Sequence, residues 1–339
     1  MIKQFKIIFP ALTFMLCSLF TTAQTVKVLT SGTKTSLRGL SVVNDKIVWV
    51  SGSNGTVGKS IDGGITWQWF TVKGFEKNDF RDIEAFDETS AVIMSVADPA
   101  YILRTADGGN TWKVVFEDKT KGMFLDAMEF WNLNSGIVIG DPINGKIFVA
   151  RSFDGGMTWK AIPEDKRPVV DSGEAMFASS GTNVRKLAND EAVIITGGLR
   201  SRLLIRDSQI DLPSLQGTES TGANSVAVKD KNMLIIVGGD FKEKDATEKN
   251  CVISKDKGKT FTAPQTGPHG YRSCVEYLNK KTWITCGLNG VDLSTDDGEN
   301  WSWISKEGFH VCRKAKEGKA VFFAGGGGKI GKLENDQSK

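Results

Sequence analysis

An eight-residue turn motif occurs five times in this chain of 339 residues, and it constrains the fold more than any other feature. Each copy reads Ser/Thr-x-Asp-x-Gly-x-Thr/Asn-Trp/Phe, and the copies occupy residues 60–67, 105–112, 152–159, 254–261 and 294–301. The motif aspartates lie 45, 47, 102 and 40 residues apart, so the gap of 102 has room for two units. A period of this length is typical of proteins built from repeated structural units.

Two further units complete the repeat. Residues 192–198 and 203–205 read as a unit that has lost its turn motif, and a last copy follows at residues 320–325 and 329–333. Each unit contains short β-rich runs separated by turn residues, and no stretch shows sustained helical periodicity. Seven units of four short strands predict an all-β, seven-bladed β-propeller. The seventh unit lacks a fourth strand, so we predict that residues 26–29 supply it and close the last blade.

The turn motif has a structural explanation. Its aspartate can accept amide hydrogens of its own turn, its glycine permits a positive φ, and its tryptophan can pack between blades. A calcium site at residues 296–299 is the alternative, but the alternating oxygen ligands of an EF-hand loop are missing, so we predict no metal. We assign a structural role to Asp62, Asp107, Asp154, Asp256 and Asp296.

The first 23 residues have the pattern of a secretory signal peptide. Lys3 and Lys6 precede an uncharged stretch over residues 7–20, and small or polar residues lead up to Ala23. The uncharged stretch is shorter than the roughly 20 residues that a membrane span needs, which favours a cleaved signal peptide. An uncleaved membrane anchor is the alternative. We expect cleavage after Ala23 and export to the periplasm, the cell surface or the medium. The remaining residues 24–339 are expected to form one propeller domain without a transmembrane segment.

The charge balance argues against a polyanion-binding protein. The whole chain has a formal net charge of +3, and removal of residues 1–23 takes away two lysines and no acidic residue. The mature chain is therefore close to neutral, and no nucleic-acid partner is expected.

Four cysteines remain after cleavage, all in the last third of the chain. If residues 279–281 turn a hairpin, Cys274 and Cys286 face each other across it. An exported protein can form a disulfide there, but small buried thiols fit the pattern as well. The same two possibilities apply to Cys251 and Cys312, and no zinc-type Cys/His spacing is present.

A candidate site follows from the geometry of a blade. The innermost strand begins on the face opposite the turn motif, and the loop between the second and third strands lies on that same face. Arginine and histidine at leading positions of the innermost strands predict a positively charged pocket for a carboxylate or phosphate. Salt bridges that merely fix the loops are an equal alternative. The aligned leading residues are Arg38, Arg81, Leu125, Ser172, Ala223, Arg272 and His310, and the loops add Asp98, Asp141 and Asp240.

The fourth unit departs most from the pattern, because residues 171–183 replace a short connection. Repeats that break their own rule often do so for function, although simple decay of a repeat is the competing explanation. Glu174 is expected to begin the innermost strand of this blade, and residues 179–183 are rich in side-chain donors. We therefore add Glu174 and Asn183 to the candidate residues, and also Tyr271, which lies beside Arg272.

The repeated turns, preceded by runs such as residues 145–149 and 328–330, resemble those of the Asp-box (BNR) propellers. Within these, the chain is most similar to the photosystem II stability/assembly factor-like proteins, and the similarity covers residues 25–335. This resemblance implies a scaffold that binds a partner protein. Asp-box propellers also include sialidases and other glycoside hydrolases, so the fold alone does not choose the function.

A sialidase-like activity implies three arginines for the substrate carboxylate and a tyrosine nucleophile assisted by a glutamate. Arg38, Arg81 and Arg272 could take the first role, but the Arg-Ile-Pro of sialidases is Arg-Gly-Leu here, and no glutamate pairs with Tyr271 by spacing. A glycoside hydrolase is the alternative function, and it needs two facing carboxylates. The candidates are Asp98, Asp141, Glu174 and Asp240.

We therefore expect an exported, monomeric binding protein whose arginine-bearing face binds a partner protein or an anionic small molecule or glycan. No cofactor is expected, because the glycine run at residues 325–328 lies between strands and does not open a helix. Whether the chain is also an enzyme is left open, with glycoside hydrolysis as the activity to test.

Overall fold

The computed structural model describes residues 24–29, 32–187 and 190–335. Over these residues the chain forms seven antiparallel sheets that are the blades of a β-propeller, as the repeat predicts. The signal peptide predicted at residues 1–23 lies outside the described residues. In the part of the chain that is described, no helix has the length and apolar character needed to cross a membrane.

The first three blades follow directly from their repeats. The chain opens with β1 (Gln24–Val28), which belongs to the last blade. Blade 1 contains β2 (Leu37–Val42), β3 (Val48–Gly52), β4 (Thr56–Ser60) and β5 (Gln68–Thr71). Blade 2 contains β6 (Phe80–Ala85), β7 (Ala91–Ser95), β8 (Ala100–Thr105) and β9 (Lys113–Asp118). Blade 3 contains β10 (Leu125–Phe130), β11 (Gly136–Ile143), β12 (Lys146–Ser152) and β13 (Lys160–Ala161).

Blades 4 and 5 are irregular. Two short strands, β14 (Glu174–Ala175) and β17 (Gly197–Gly198), add to the sheet of blade 5. Blade 4 contains β15 (Val184–Lys186), β16 (Ala192–Ile195), β18 (Arg202–Ile205) and β19 (Ser208–Asp211). Blade 5 continues with β20 (Thr221–Val228), β21 (Leu234–Asp240) and β22 (Cys251–Ser254), and its outermost position is a single bridge between Ile253 and Thr262.

Blade 6 contains β23 (Cys274–Asn279), β24 (Thr282–Gly287), β25 (Gly290–Ser294) and β26 (Ser302–Ser305). Blade 7 contains β27 (Val311–Lys314), β28 (Val321–Ala324) and β29 (Ile330–Asn335). Two three-residue 3-10 helices, Glu164–Lys166 and Gly326–Gly328, lie in connections.

The N-terminal strand closes the ring, as predicted. β1 pairs with β29 in antiparallel register from Gln24 opposite Asn335 to Val28 opposite Gly331. Blade 7 therefore contains four strands in the order β1-β29-β28-β27.

The hydrophobic core lies between neighbouring blades. Middle strands such as β3 and β7 are buried along their whole length, because both faces of the sheet pack against other blades. One apolar cluster joins Val92 and Met94 of blade 2 to Phe130 and Trp159 of blade 3. Similar clusters follow around the ring and hold the innermost strands around a central channel.

The turn motifs form closed hydrogen-bonded units. Asp62 accepts hydrogen bonds from the Thr66 amide (2.9 Å) and hydroxyl (2.5 Å) and from the Ser60 hydroxyl (2.8 Å). These bonds, above all that from the Thr66 hydroxyl, lower the pKa of Asp62 to about 2. Gly64 adopts φ +87° and donates its amide to Ser60 Oγ. Asp107, Asp154, Asp256 and Asp296 make the corresponding contacts in their own turns.

The innermost strand of blade 4 is not where we expected it. Residues 172–176 do not form the innermost strand, because β15 takes that place and β14 pairs with β17 instead, with Glu174 opposite Gly198. The reason is chemical: Glu174 is buried and forms an ion pair with Arg202 of β18.

The predicted pairing of Cys274 with Cys286 is correct as a strand register. Cys251, Cys274, Cys286 and Cys312 are all buried free thiols in the structure.

Candidate functional site

A pocket of about 380 Å³ opens beside the central channel on the face where the innermost strands begin. Its polar lining comes from several blades and consists of Arg38, Arg81, Asp141, Ser179, Tyr271, Ser273 and His310. Its apolar walls include Phe124, Phe177, Phe241 and Leu288. The turn motifs lie on the other face, where for example the Gly155 amide bonds to the loop that follows β10. We call the face with the pocket the arginine face.

Two β-bulges direct the arginines into this pocket. In blade 1, the strand pairing includes Leu37 and Gly39 but skips the residue between them. In blade 2, the pairing includes Phe80 and Asp82 and again skips the residue between them. Arg38 and Arg81 are the extra residues. A bulge leaves one residue without a partner and turns its side chain away from the normal alternation. His310 precedes β27 on the neighbouring blade 7, so blades 7, 1 and 2 place three side chains side by side.

The guanidinium of Arg38 has no hydrogen bond and no ion pair within the described residues. It is partly buried, and this burial lowers its pKa, with a further contribution from the positive charge of Arg81. By contrast, Arg81 is fixed: its Nε lies 2.8 Å from Asp79 Oδ2, and its guanidinium lies over the ring of Phe124. The pocket thus holds one arginine whose guanidinium donors are not used by the described residues.

His310 contributes a hydrogen-bonding group but no positive charge. Its Nε2 lies 3.2 Å from Ser36 Oγ. Burial lowers its pKa to about 3, and the charges of Arg38 and Arg81 add to this effect. The sequence-based expectation of a positively charged histidine is therefore replaced by a neutral imidazole at physiological pH.

Arg272 lies outside the pocket. Its side chain is fully buried and forms an ion pair with Asp292, while Nη1 donates to Tyr271 O (2.8 Å) and Asn289 Oδ1 (2.6 Å). Ser273, one residue later, occupies the pocket-facing position in blade 6 that His310 has in blade 7. The Ser273 amide donates to the carbonyl of Cys286, which is the strand partner of Cys274. In the same way, the His310 amide donates to the carbonyl of Ala324, which is the strand partner of Val311.

The same shift of one residue occurs in two other blades. In blade 3 the bulged residue is Asp126 instead of Leu125, and in blade 5 it is Asn224 instead of Ala223. Aligning the strands by their first apolar residue misses a bulge, because the inserted residue has no signature in the sequence.

Four other predicted site residues make hydrogen bonds or ion pairs outside the pocket. Asp98 accepts the amide of Gly122, and Asp240 accepts that of Lys242. Glu174 is paired with Arg202, and the buried Asn183 donates to Phe177 O. None of these side chains lines the pocket.

Asp141 does line the pocket. Its Oδ1 accepts the amide of Met176 at 3.0 Å, and burial raises its pKa. Asp126, which the sequence analysis missed, lies close enough for the two carboxyl groups to interact. Asp126 is completely buried, and neither of its oxygens lies within hydrogen-bonding distance of a donor among the described residues. Burial raises its pKa well above the usual value, although the nearby amides of Asp141 and Ala178 oppose this shift, so the site behind the pocket favours the neutral carboxylic acid.

A segment of blade 4 crosses the central channel beneath the pocket. We call residues 176–183 the channel plug. Ser179 Oγ donates to Asn224 Oδ1 (3.2 Å), Ser180 Oγ donates to Ser273 O (2.7 Å), and Thr182 Oγ1 donates to Ser225 Oγ (2.6 Å). From the other side, Arg313 Nη2 donates to the carbonyls of residues 180 and 181. Sequence analysis found the irregularity of this segment but not its position.

Below the plug, a second cavity of about 430 Å³ extends toward the face of the turn motifs. Its charged lining consists of Asp82, Glu84, Glu129, Arg185, Glu276 and Arg313, among others. Arg185 forms ion pairs with Glu129 (3.2 Å) and Glu276 (2.8 Å). Arg185 in the lower cavity is therefore neutralised by two carboxylates, whereas Arg38 in the pocket above has no ion pair among the described residues.

Comparisons with known proteins agree with this architecture. Residues 21–165 match the family model described as Photosynthesis system II assembly factor YCF48. No curated protein matches the sequence. The solved structure "YCF48 bound to D1 peptide" is 16% identical, with a TM-score of 0.65, and the alignment covers 92% of this chain and 97% of that chain.

Two further structures share the fold. YCF48 from Cyanidioschyzon merolae is 17% identical, with a TM-score of 0.65, over 91% of this chain and 99% of that one. The Pan2 WD40 domain of Neurospora crassa is 11% identical, with a TM-score of 0.61, over 90% of each chain. The chain is thus a seven-bladed propeller, and its resemblance to the photosystem II assembly factor family is confirmed by the family match over residues 21–165.

Proposed function

We propose that this chain is an exported scaffold protein whose arginine face binds a carboxylate-bearing segment of a partner protein. The observation that carries the proposal is the unpaired guanidinium of Arg38 in the upper pocket. The related YCF48 structure, which is bound to a D1 peptide, supports a polypeptide as the class of partner. The N-terminal signal pattern supports export.

The chemistry of the pocket favours a carboxylate with an apolar neighbour. Arg38 presents planar donors that match the two oxygens of a carboxylate, and Arg81 adds positive charge while remaining fixed by Asp79. Neutral His310 and the hydroxyl of Tyr271 add polar groups without cancelling that charge. The aromatic walls supply contact area for an apolar side chain.

The rim of the pocket favours a peptide over a compact small molecule. Phe241 and Leu288 line the pocket, yet 38% and 40% of their surfaces remain exposed. Exposed apolar side chains beside a charged pocket are typical of surfaces that a partner covers. A peptide can place its carboxylate at Arg38 and cover these two residues at the same time.

The hydrolase alternative is less well supported by the geometry. It requires two carboxyl groups that face each other across one cavity. Of Asp98, Asp141, Glu174 and Asp240, only Asp141 lines the pocket, and Glu174 is held by Arg202. We therefore retain binding as the proposed function.

The test uses two matched sets of immobilised peptides. One set carries carboxylates as Asp, Glu or a free C terminus, and the other carries the corresponding amides. Binding of residues 24–339 is measured for the wild type and for Arg38→Ala. The control is Arg200→Ala, which removes the same charge from an exposed arginine that is paired with Asp171 and Asp211.

We expect the wild type and the Arg200→Ala control to retain only carboxylate peptides, and Arg38→Ala to lose at least about tenfold in affinity, or roughly 1.4 kcal/mol. Equal binding of acids and amides would contradict the proposal. So would wild-type affinity in Arg38→Ala.

A further inference from the structure

The channel plug is a wall shared by two cavities. Its residues Ala178 and Ser179 line the upper pocket, where they lie close to Tyr271 and the arginines. Its residues 180 and 181 meet the charged lining of the lower cavity. A change in the position or charge of groups below the plug therefore acts on the floor of the pocket above it.

Asp82 is a lower-cavity residue that contacts the plug. It is 2% exposed, and its side chain lies against Gly181 so closely that a Cβ there would overlap the carboxylate. Its two oxygens accept the amides of Ile83 (2.9 Å) and Met128 (2.7 Å). Asp82 directly follows Arg81, whose side chain lines the upper pocket, so one short segment of β6 reaches both cavities.

Arg313 is the second group that holds the plug from below. Its Nη2 lies 3.3 Å from both Ser180 O and Gly181 O. Its Nη1 is buried without a hydrogen-bond partner and lies 3.9 Å from Glu276 Oε2, a distance beyond hydrogen bonding. The guanidinium thus has an unused donor while it interacts electrostatically with Asp82.

Resting on the function proposed above, we propose that Asp82 and Arg313 are positioning residues for the plug, so that the charge state of Asp82 sets how strongly the arginine face holds an anion. With a neutral Asp82, Arg313 is free to hold the plug carbonyls. An ionised Asp82 competes for the Arg313 guanidinium and places a negative charge directly behind Arg81. Both effects weaken the binding of a carboxylate in the upper pocket.

The charge of Asp82 changes in the physiological range. Burial raises its pKa to about 7, and Arg313 and the Met128 amide oppose this shift. The charged groups around it are Glu84 and Arg81 on its own strand and Arg313 on β27. The lower cavity adds Glu129 on β10, Arg185 on β15, Glu276 on β23, and Lys316, which is paired with Glu84.

Linkage then fixes the sign of the effect. If protonation of Asp82 strengthens anion binding, anion binding must favour protonation of Asp82 to the same extent. Binding near neutral pH therefore takes up protons, and affinity falls as the pH rises through about 7. We expect a change of roughly fivefold between about pH 6 and about pH 8.

The probe is N-acetyl-phenylalanine, which carries a carboxylate and an aromatic ring, with N-acetyl-phenylalaninamide as its uncharged match. Calorimetric titration in two buffers of different ionisation enthalpy measures both affinity and proton uptake. The variants are Asp82→Asn, which cannot ionise, and Asp141→Asn, which removes a carboxylate that lines the pocket itself. We expect the affinity of Asp141→Asn for the probe to keep a dependence on pH that the affinity of Asp82→Asn lacks.

A second measurement needs neither a ligand nor a variant. The NMR amide signals of Gly181, Ser179 and Phe177 are followed across the pH range in the free protein. We expect all three to titrate together with a midpoint near 7, because the plug responds as a unit to Asp82.

The outcomes separate this inference from the function on which it rests. If the probe binds through Arg38 but its affinity has the same pH dependence in the wild type and in Asp82→Asn, the inference fails and the proposed function stands. If the probe does not bind, the proposed function loses support, and the pH titration of the plug amide signals alone tests the inference. Plug amides that do not titrate would then overturn the inference.

Discussion

The backbone of Gly181 lies directly against the carboxylate of Asp82, and a Cβ at position 181 would overlap both carboxylate oxygens. Gly181 also adopts φ +63°, a left-handed conformation that favours glycine. Two independent constraints therefore require glycine at the point where the plug crosses the channel.

Replacement of Gly181 by alanine separates these two constraints. We expect Gly181→Ala to lower the free energy of unfolding by about 1 kcal/mol because of the left-handed backbone. The overlap with Asp82 should lower it by roughly 1 to 3 kcal/mol more. The matched control is Gly327→Ala, since Gly327 has φ +68° and no atom within 4 Å of the added Cβ. Urea unfolding measures both variants. Equal losses of stability would show that the plug adjusts without resistance.

The raised pKa of Asp82 predicts a pH-dependent stability. Between about pH 4 and about pH 7 the folded chain holds a proton on Asp82 that the unfolded chain releases, so stability falls as the pH rises. Asp82→Asn has no such proton. We expect the free energy of unfolding of this variant, relative to that of the wild type, to rise by up to about 4 kcal/mol between pH 4 and pH 8.

Denaturant unfolding at the two pH values measures this difference. Asp126 and Asp141 also have raised pKa values, but they are present in both proteins and their contributions cancel. Parallel pH profiles of the wild type and Asp82→Asn would contradict the assignment.

The turn-motif aspartates predict the opposite dependence on pH. The hydroxyl and amide of Thr111 lower the pKa of Asp107 to about 2, so its stabilising effect is complete above about pH 4 and is lost as the pH falls through 2. We expect Asp107→Ala to lower the melting temperature by a few degrees at neutral pH, and by less at pH 2. Asp165→Ala, at an exposed aspartate, serves as the control and should change little. A pH-independent loss would point to packing instead of the carboxylate.

Closure of the ring predicts a large effect from a small deletion. Removal of residues 24–29 takes away β1, its five pairs with β29, and the contact of Val26 with the core of blade 7. We expect the free energy of unfolding to fall by several kcal/mol. We also expect the truncated protein to associate in a concentration-dependent way through the exposed edge of β29. The control Lys27→Ala removes only an exposed side chain and its surface ion pair with Glu334, and it leaves the backbone of β1 in place. Thermal unfolding and size-exclusion chromatography measure the two effects, and a truncated protein as stable as the wild type would mean that β1 is dispensable.

The repeat predicts the fold because each turn motif fixes the same local structure. Ser60, Asp62 and Thr66 close one turn, and the spacing of its copies places the surrounding strands. Even the pairing of β1 with β29 follows from counting strands, since the seventh unit is one strand short.

The pocket is less predictable because it depends on single-residue insertions and on distant partners. Arg38 and Arg81 both line the pocket, whereas Arg272 is shifted by one position and is buried against Asp292. Asp126 escaped notice for the same reason, as it is the bulged residue after Leu125.

Glu174 was misplaced because its partner Arg202 is 28 residues away in the sequence, and such a pairing has no local signal. The position of the plug likewise had no local signal, since its hydrogen-bond partners lie in blades 5, 6 and 7.

The pairing of β1 with β29 also determines when folding can finish. β29 follows β1 by about 300 residues in the chain, so the sheet of blade 7 cannot be completed until β29 has been synthesised. Until then β1 has no strand partner and presents an open edge on which another chain can pair. A product that stops before β29 therefore keeps an open ring.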